Sequence, residues 1–235
     1  VKSLASNVRS VLQSAPEVGP LERLRRGFVL FEQQQDVSGL FLIESGLVKL
    51  IRTSSDGRTF ILSVVGPHQV AGLEGLALMP AAHAADSVCL SEVTGYHIPL
   101  PAARRLLALP EYATALRSHL IARDQERIQR IEMLTLCDVE QRVLHALANL
   151  AEMVRPIADG DLYPIPITQI ELASFVGATR ETTSCTLSSL QNRQLVTLGR
   201  RLVTVVQPHI LREAAHRRRP LSEPAIATSL TAAAS

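Results

Sequence analysis

Short apolar runs separated by turn formers dominate the first half of the chain. They occupy 28–31, 39–43, 47–51, 60–65, 88–90 and 95–98. Glu44-Ser45-Gly46, Ser54-Ser55-Asp56-Gly57 and Gly66-Pro67 stand between them. Brief apolar runs bounded by Gly, Pro, Asp and Ser read as strands, and Asp-Gly between two of them reads as a hairpin turn. Residues 27–98 therefore predict an antiparallel barrel or sandwich.

The period changes near Pro110. From Glu111 to Leu136 there is neither Gly nor Pro, and Leu116, Leu120, Ile121, Ile128, Ile131 and Leu134 fall close to a helical repeat. This predicts one helix of about seven turns. Arg117, Arg123, Asp124, Glu126, Arg127 and Arg130 interleave with the apolar positions. A helix of that length with an apolar stripe needs cover. The first reading is a dimer seam formed by Leu116, Leu120, Ile121, Ile128, Ile131 and Leu134. The other is a helix packed only on the chain's own barrel, or a broken one.

Asp138 is placed to cap a second helix over 139–154, with Val143, Leu144, Leu147, Leu150 and Ala151 on one stripe. Residues 162–167 read as extended, and Pro164 and Pro166 confine that strand to an edge. In Ile167-Thr168-Gln169-Ile170-Glu171, the Thr-x-x-Glu spacing is a capping box opening a short helix. Gly177 ends it, and Thr179 caps a further helix over 180–192. Two short helices around a glycine turn predict a helix-turn-helix. Residues 195–198 and 202–206 flank Gly199-Arg200-Arg201, which reads as a β-hairpin wing with a basic tip.

Composition and charge then narrow the class. The chain has 235 residues, 46% of them hydrophobic and 20% charged, so it can bury a core. No apolar run reaches the roughly 20 residues of a membrane helix, and the N-terminus lacks a signal-peptide stretch, so a cytoplasmic protein without a membrane partner is expected. Three scattered cysteines, Cys89, Cys137 and Cys185, make neither a disulfide framework nor a metal knuckle. Net charge is only +2. Its distribution says more: between Leu162 and Arg219 lie eight arginines against three acids. Gly-x-Ser-x-Gly, His-Glu-x-x-His and a phosphate loop ending in Gly-Lys-Ser/Thr are all missing, and no reaction chemistry clusters.

The second helix of the motif carries chemistry suited to DNA. Arg180 can pair bidentately with guanine, and Glu181 can accept from the cytosine amine. Thr179, Thr182 and the helix N-terminus suit phosphate oxygens. The expected DNA-contacting set is Thr168, Gln169, Thr179, Arg180, Glu181, Thr182, Ser184 and Cys185, with Arg200 and Arg201 on the wing.

In this order of parts the chain resembles the cyclic-AMP receptor protein and fumarate–nitrate regulator (CRP/FNR) family, from about Leu21 to Leu211. Glu44-Ser45-Gly46, the Gly66-Pro67 and Gly72 region, and Gly177-Ala178-Thr179-Arg180-Glu181-Thr182 carry the resemblance. It implies an α+β fold: an N-terminal antiparallel β-roll, a long dimerisation helix and a C-terminal winged helix-turn-helix. The implied divisions are 1–109 for arm and roll, 110–137 for helix and hinge, 138–216 for the DNA-binding unit and 217–235 for a flexible tail. The implied function is a homodimeric transcription regulator that binds double-stranded DNA at a palindrome and acts on RNA polymerase.

The departures bear on the signal. Gly72-Leu73-Glu74-Gly75-Leu76 stands where the family's cyclic-AMP binders have Gly-Glu-Leu-Gly-Leu, and His83-Ala84-Ala85 where they have Arg-Ser-Ala. No arginine occurs between Arg58 and Arg104, and Arg127-Ile128 replaces a Thr-Ser pair. An anionic phosphate without that cation is poorly compensated, so regulation without cyclic AMP is expected. An effector pocket, if present, would involve Gly72, Leu73, Glu74, Leu76, His83, Arg127 and Ile128. No cysteine precedes Cys89, which excludes the usual four-cysteine iron–sulfur cluster. No cofactor and no metal is predicted. The options left open are a regulator with no ligand, a haem or small-ligand sensor with His68, His83 or His97 as axial candidates, and a redox switch at Cys185. A roll that docks another protein and no longer binds DNA is the remaining alternative.

Overall fold

A computed structural model describes residues 19–76, 82–155 and 162–217. The expected N-terminal arm and the tail beyond Arg217 lie outside the described residues.

Eight strands build the roll: β1 Glu22–Leu24, β2 Val29–Phe31, β3 Gly39–Ser45, β4 Val48–Thr53, β5 Thr59–Val65, β6 Val70–Ala71, β7 Asp86–Cys89 and β8 Val93–Pro99. They form two four-stranded sheets ordered β1-β8-β3-β6 and β2-β7-β4-β5. The Asp-Gly signal is realised as the β4–β5 hairpin, with Thr53 opposite Thr59. Gly57 turns it at φ +80°, where a Cβ would be strained.

One irregularity in that hairpin decides which side chains of β5 face the C-terminal unit. Leu50 pairs with Ser63 and Ile51 pairs with Ile61, so Leu62 is an extra residue. Such a bulge shifts the in–out phase of a strand. Ile61 and Val64 consequently both pack outward on the C-terminal core, while Val65 turns into the roll.

Among the described residues, six α-helices follow these strands: α1 Leu100–Leu107, α2 Pro110–Leu136, α3 Val139–Val154, α4 Gln169–Val176, α5 Arg180–Asn192 and α6 Pro208–Arg217. Helix α1 was not expected from the pattern. It is short, and its buried Ala102 and Ala103 close one end of the roll against Leu40, Leu42 and Ile98. The long helix α2 has Pro110 in its first turn, where the missing N–H is harmless. It stops at Cys137, whose backbone is extended. Asp138 then caps α3 in a full capping box, its Oδ1 accepting from the Gln141 N–H at 2.8 Å. Strand β9, Tyr163–Ile165, is indeed an edge, in a sheet ordered β10-β11-β9 with the wing strands Val196–Gly199 and Leu202–Val205.

The largest core does not respect the division into roll and DNA-binding unit. Val143, Leu144, Leu147, Leu150, Ile165, Leu172, Leu187, Leu190, Val203 and Val205 share one buried cluster with Leu47, Ile61, Val64 and Leu90 of the roll. Each such side chain contributes roughly 1.5–3 kcal/mol when fully buried. The C-terminal unit is therefore packed on the outer face of its own roll.

Candidate nucleic-acid interface

The turn between α4 and α5 is built by local chemistry. Gly177 caps α4 in the left-handed region, at φ +65°. A Cβ there would also stand 3.1 Å from Leu134 Cδ2 of the long helix. Thr179 restarts the chain as a helix: its Oγ1 accepts the Thr182 N–H at 3.1 Å. Leu187, Leu190 and Thr183 face inward and are buried. Arg180, Glu181, Thr182, Cys185 and Ser188 are exposed, and Ser184 is half-buried beside them. Thr179, Arg180, Glu181, Thr182, Ser184 and Cys185 are thus brought together at the N-terminal end of one outward face.

The wing adds two cations. Gly199 pairs with Leu202, leaving Arg200 and Arg201 at the tip, both exposed. Arg201 sits at φ +59°, an uncommon conformation for a side chain with a Cβ. At the start of α4 the polar groups are partly engaged within the chain. Thr168 is half-buried, and its hydroxyl is engaged with Glu171: it accepts the Glu171 N–H at 3.1 Å and donates to Oε2 at 2.9 Å. Gln169 is half-buried next to it.

Two regions of the sequence match models of known domains. Residues 21–109 match the cyclic nucleotide-binding domain, and residues 141–214 match the Crp-like helix-turn-helix domain. The chain is a CRP/FNR-family transcription regulator. It is 29% identical over 182 residues to a CRP-like cAMP-activated global transcriptional regulator of Mycobacterium tuberculosis, covering 77% of this chain and 81% of that one. It is 23% identical over 216 residues to a global nitrogen regulator of Synechococcus elongatus, covering 87% and 96%. Among solved structures, FixK2 from Bradyrhizobium japonicum superposes with a TM-score of 0.73 at 17% identity, over 87% of this chain and 98% of that one. The family is non-enzymatic and binds DNA through its helix-turn-helix. No helix among the described residues is long and apolar enough to cross a membrane.

The residues expected to hold an effector in this CRP/FNR roll do not form one pocket. Gly72, Glu74 and His83 do meet: Glu74 Oε2 lies 3.9 Å from His83 Nδ1, and a Cβ on Gly72 would meet the His83 ring. Leu73 and Leu76 instead pack into the core against Leu40, Ile98 and Ala102. Arg127 and Ile128 are exposed on α2. His83 is 4% exposed and stacks on Phe31 with ring centroids 3.6 Å apart. Burial pushes its pKa down, against the weaker pull of Glu74, so the imidazole is held neutral. The His97 ring lies against Phe41, and His68 is exposed in the turn before β6. No cluster of three or more His, Cys, Asp or Glu side chains that could hold a metal occurs among the described residues.

The stripe read as a dimer seam divides in two. Ile121, Ile128 and Ile131 are 57–63% exposed, and Leu120 is also open. Leu116 and Leu134 are half-buried, and Leu134 packs within its own chain against Gly177. Of the cysteines, Cys89 is buried, Cys137 is half-buried and Cys185 is exposed; burial pushes the Cys89 thiol up to about 11.

A set of residues missed by sequence reasoning joins the DNA-binding unit to the roll. Glu171, beyond its capping role, pairs with Arg26 at 2.7 Å and with Lys49 at 2.9 Å. Arg26 also donates to the Leu90 carbonyl and to that of Pro166. Burial alone would raise the Glu171 carboxyl, but the Lys49 ammonium and the Thr168 N–H and hydroxyl outweigh it and hold it below the usual range. Arg130 of α2 donates to Ile61 O at 2.7 Å and Phe175 O at 2.5 Å, with its guanidinium over the Phe60 and Phe175 rings. Arg142 donates to Val176 O and Gly177 O, both at 3.0 Å. The one available signal was Lys49, one of only two lysines in the chain.

Proposed function

We propose that this regulator binds a palindromic promoter site as a homodimer, reading bases with α5, and that it does so without cyclic AMP. The observation that carries the reading is the outward face of α5, where Arg180, Glu181, Thr182 and Cys185 stand exposed together at the helix N-terminus. That end of a recognition helix is what reaches base edges in the major groove. Arg180 and Glu181 are suited to G and C in each half-site, with Ser184 as a weaker contact. Arg200 and Arg201 supply phosphate attraction from the wing.

The dimer rests on α2. Ile121 and Ile128 are seven residues apart and Ile131 is three further on, the spacing of a two-helix seam. Three exposed isoleucines on one helix are poorly placed in water, and a second copy would cover them. A twofold dimer imposes half-sites about one helical turn apart. RNA polymerase is the natural target of a protein so placed at a promoter.

The case against cyclic AMP is electrostatic. A neutral His83, already stacked on Phe31, stands where an anionic phosphate would need a cation. Cys185, the exposed cysteine, supports a second reading in which oxidation puts bulk and negative charge against DNA. The test is selection of bound duplexes from a random pool, without added nucleotide, reduced and then mildly oxidised. A palindrome enriched under reduction supports the proposal. Enrichment only when cyclic AMP is added would overturn its ligand clause. Loss of binding on oxidation in the parent but not in Cys185→Ser would establish the thiol switch.

A further inference from the structure

A cavity of about 590 Å³ opens between β5, α2 and α3, with Phe175 of α4 at one wall. That volume is ordinary for a small-molecule site. It is a different place from the roll cassette: none of Gly72, Glu74 and His83 lines it. The bulge at Leu62 helps to form it, because it turns Ser63 toward α2, where Arg123 donates to its Oγ at 3.2 Å.

The inner wall is cationic. Arg130 is anchored by two backbone carbonyls and two aromatic rings, and no carboxylate among the described residues neutralises it. Burial pushes its pKa down to about 10, so the guanidinium stays charged at neutral pH in a place that disfavours charge. Arg123, two turns earlier on the same helix, also lines the cavity with its side chain only 9% exposed, and it is already paired with Glu126, a further lining residue, at 3.1 Å. The acids Glu132 and Glu152 stand at the exposed rim, where Glu152 meets Arg155. Between the arginines and the rim the walls are Val64, Met133, Met153 and Phe175. Methionine is unbranched and polarisable, and adapts to apolar guests of different shapes.

We propose that this cavity binds a small monocarboxylate with an apolar body, its carboxylate on Arg130 and its body against Met133 and Met153. A carboxylate there supplies the charge that the buried Arg130 lacks and accepts N–H groups from a planar fork. An amine of the same size meets like charge, and an alcohol leaves the guanidinium uncompensated. The lining comes from the roll, the long helix and the DNA-binding unit together, so an occupied cavity touches each of them. An effector that fits one docking of these parts better than another shifts their balance by that difference in affinity.

The test is calorimetric titration of the full chain, without DNA, with octanoate, octylamine and 1-octanol. Octanoate should saturate at one per chain, and octylamine and octanol should bind at least about tenfold more weakly. Arg130→Gln should weaken octanoate about tenfold or more. Asn149→Phe, on the exposed side of α3, should do the same by filling the cavity while leaving every arginine in place. Arg58→Gln, an exposed hairpin arginine paired with Asp56, should leave binding unchanged. No saturable heat from octanoate up to about 10 mM, equal binding of octanol, or indifference to Asn149→Phe would overturn the proposal. Because DNA is left out, failure here leaves the promoter-binding reading standing, and failure of that reading leaves this one standing.

Discussion

The two helices of the reader both open on a threonine cap, yet they do opposite things with their polar groups. Helix α4 turns its polar groups inward to the rest of the chain. Glu171 holds Arg26 and Lys49, Ser174 Oγ donates to Thr59 O at 2.7 Å, and the Phe175 and Val176 carbonyls accept from Arg130 and Arg142. Helix α5 ties its hydroxyls locally, as in Thr179 with Thr182 and Ser188 with Ser184 O, and presents Arg180 and Glu181 to solvent. The contrast amounts to a division of labour. The first helix couples the reader to the roll and the long helix, and the second faces an outside partner. Neighbouring elements of one small motif thus bear on different functions, and substitutions should separate them.

The largest separation is expected at Glu171. Glu171→Ala leaves Lys49 and Arg26 half-buried without a counter-charge and removes a capping box, so it should cost about 3–5 kcal/mol in urea unfolding. A loss below about 1 kcal/mol would mean that α4 is not the coupling element. Acid should remove the same contribution gradually. The Glu171 carboxyl is held below its ordinary range in the folded chain, so its stabilisation is complete above the unfolded pKa and disappears as pH falls through the lower folded value. Urea midpoints taken from about pH 6 down to about pH 3 should fall more steeply for the parent than for Glu171→Gln.

A smaller effect is expected at the turn between the helices. Gly177→Ala places a Cβ in the left-handed region, which costs about 1–2 kcal/mol, with the flexible end of Leu134 giving way. Thermal melting should show it, while the outward face of α5 keeps its contacts. At the wing, Arg201→Gln should change stability by less than about 0.5 kcal/mol. On DNA it should weaken specific and random duplexes alike and lower the salt slope by about one. Sequence-selective loss there would move base reading from α5 to the wing.

The legible parts of the fold were those fixed by local chemistry. The Asp-Gly hairpin, the Asp138 cap, the Thr168–Glu171 box and the glycine turn each depend on residues within a few positions, and each forms as expected. Two prolines placed β9 at an edge. Helix α1 escaped because it is eight residues long with little pattern beyond its alanines. The candidate site divides in the same way. The α5 face follows from helical period alone. The ion pairs of Glu171 join residues 145 and 122 positions away, and no spacing rule reaches that far. The roll cassette was read from residue types, but Leu73 and Leu76 turn into the core and Arg127 lies on another wall.

The central claim, that α5 reads sequence while α4 couples the reader to the roll, is tested most directly by fluorescence anisotropy of parent and Arg180→Ala on the selected palindrome and on a random duplex. The account predicts that Arg180→Ala loses about 1–3 kcal/mol on the palindrome, keeps its binding to random DNA and keeps the parent's urea midpoint. Equal loss on both duplexes, or a parent that does not distinguish them, would contradict it.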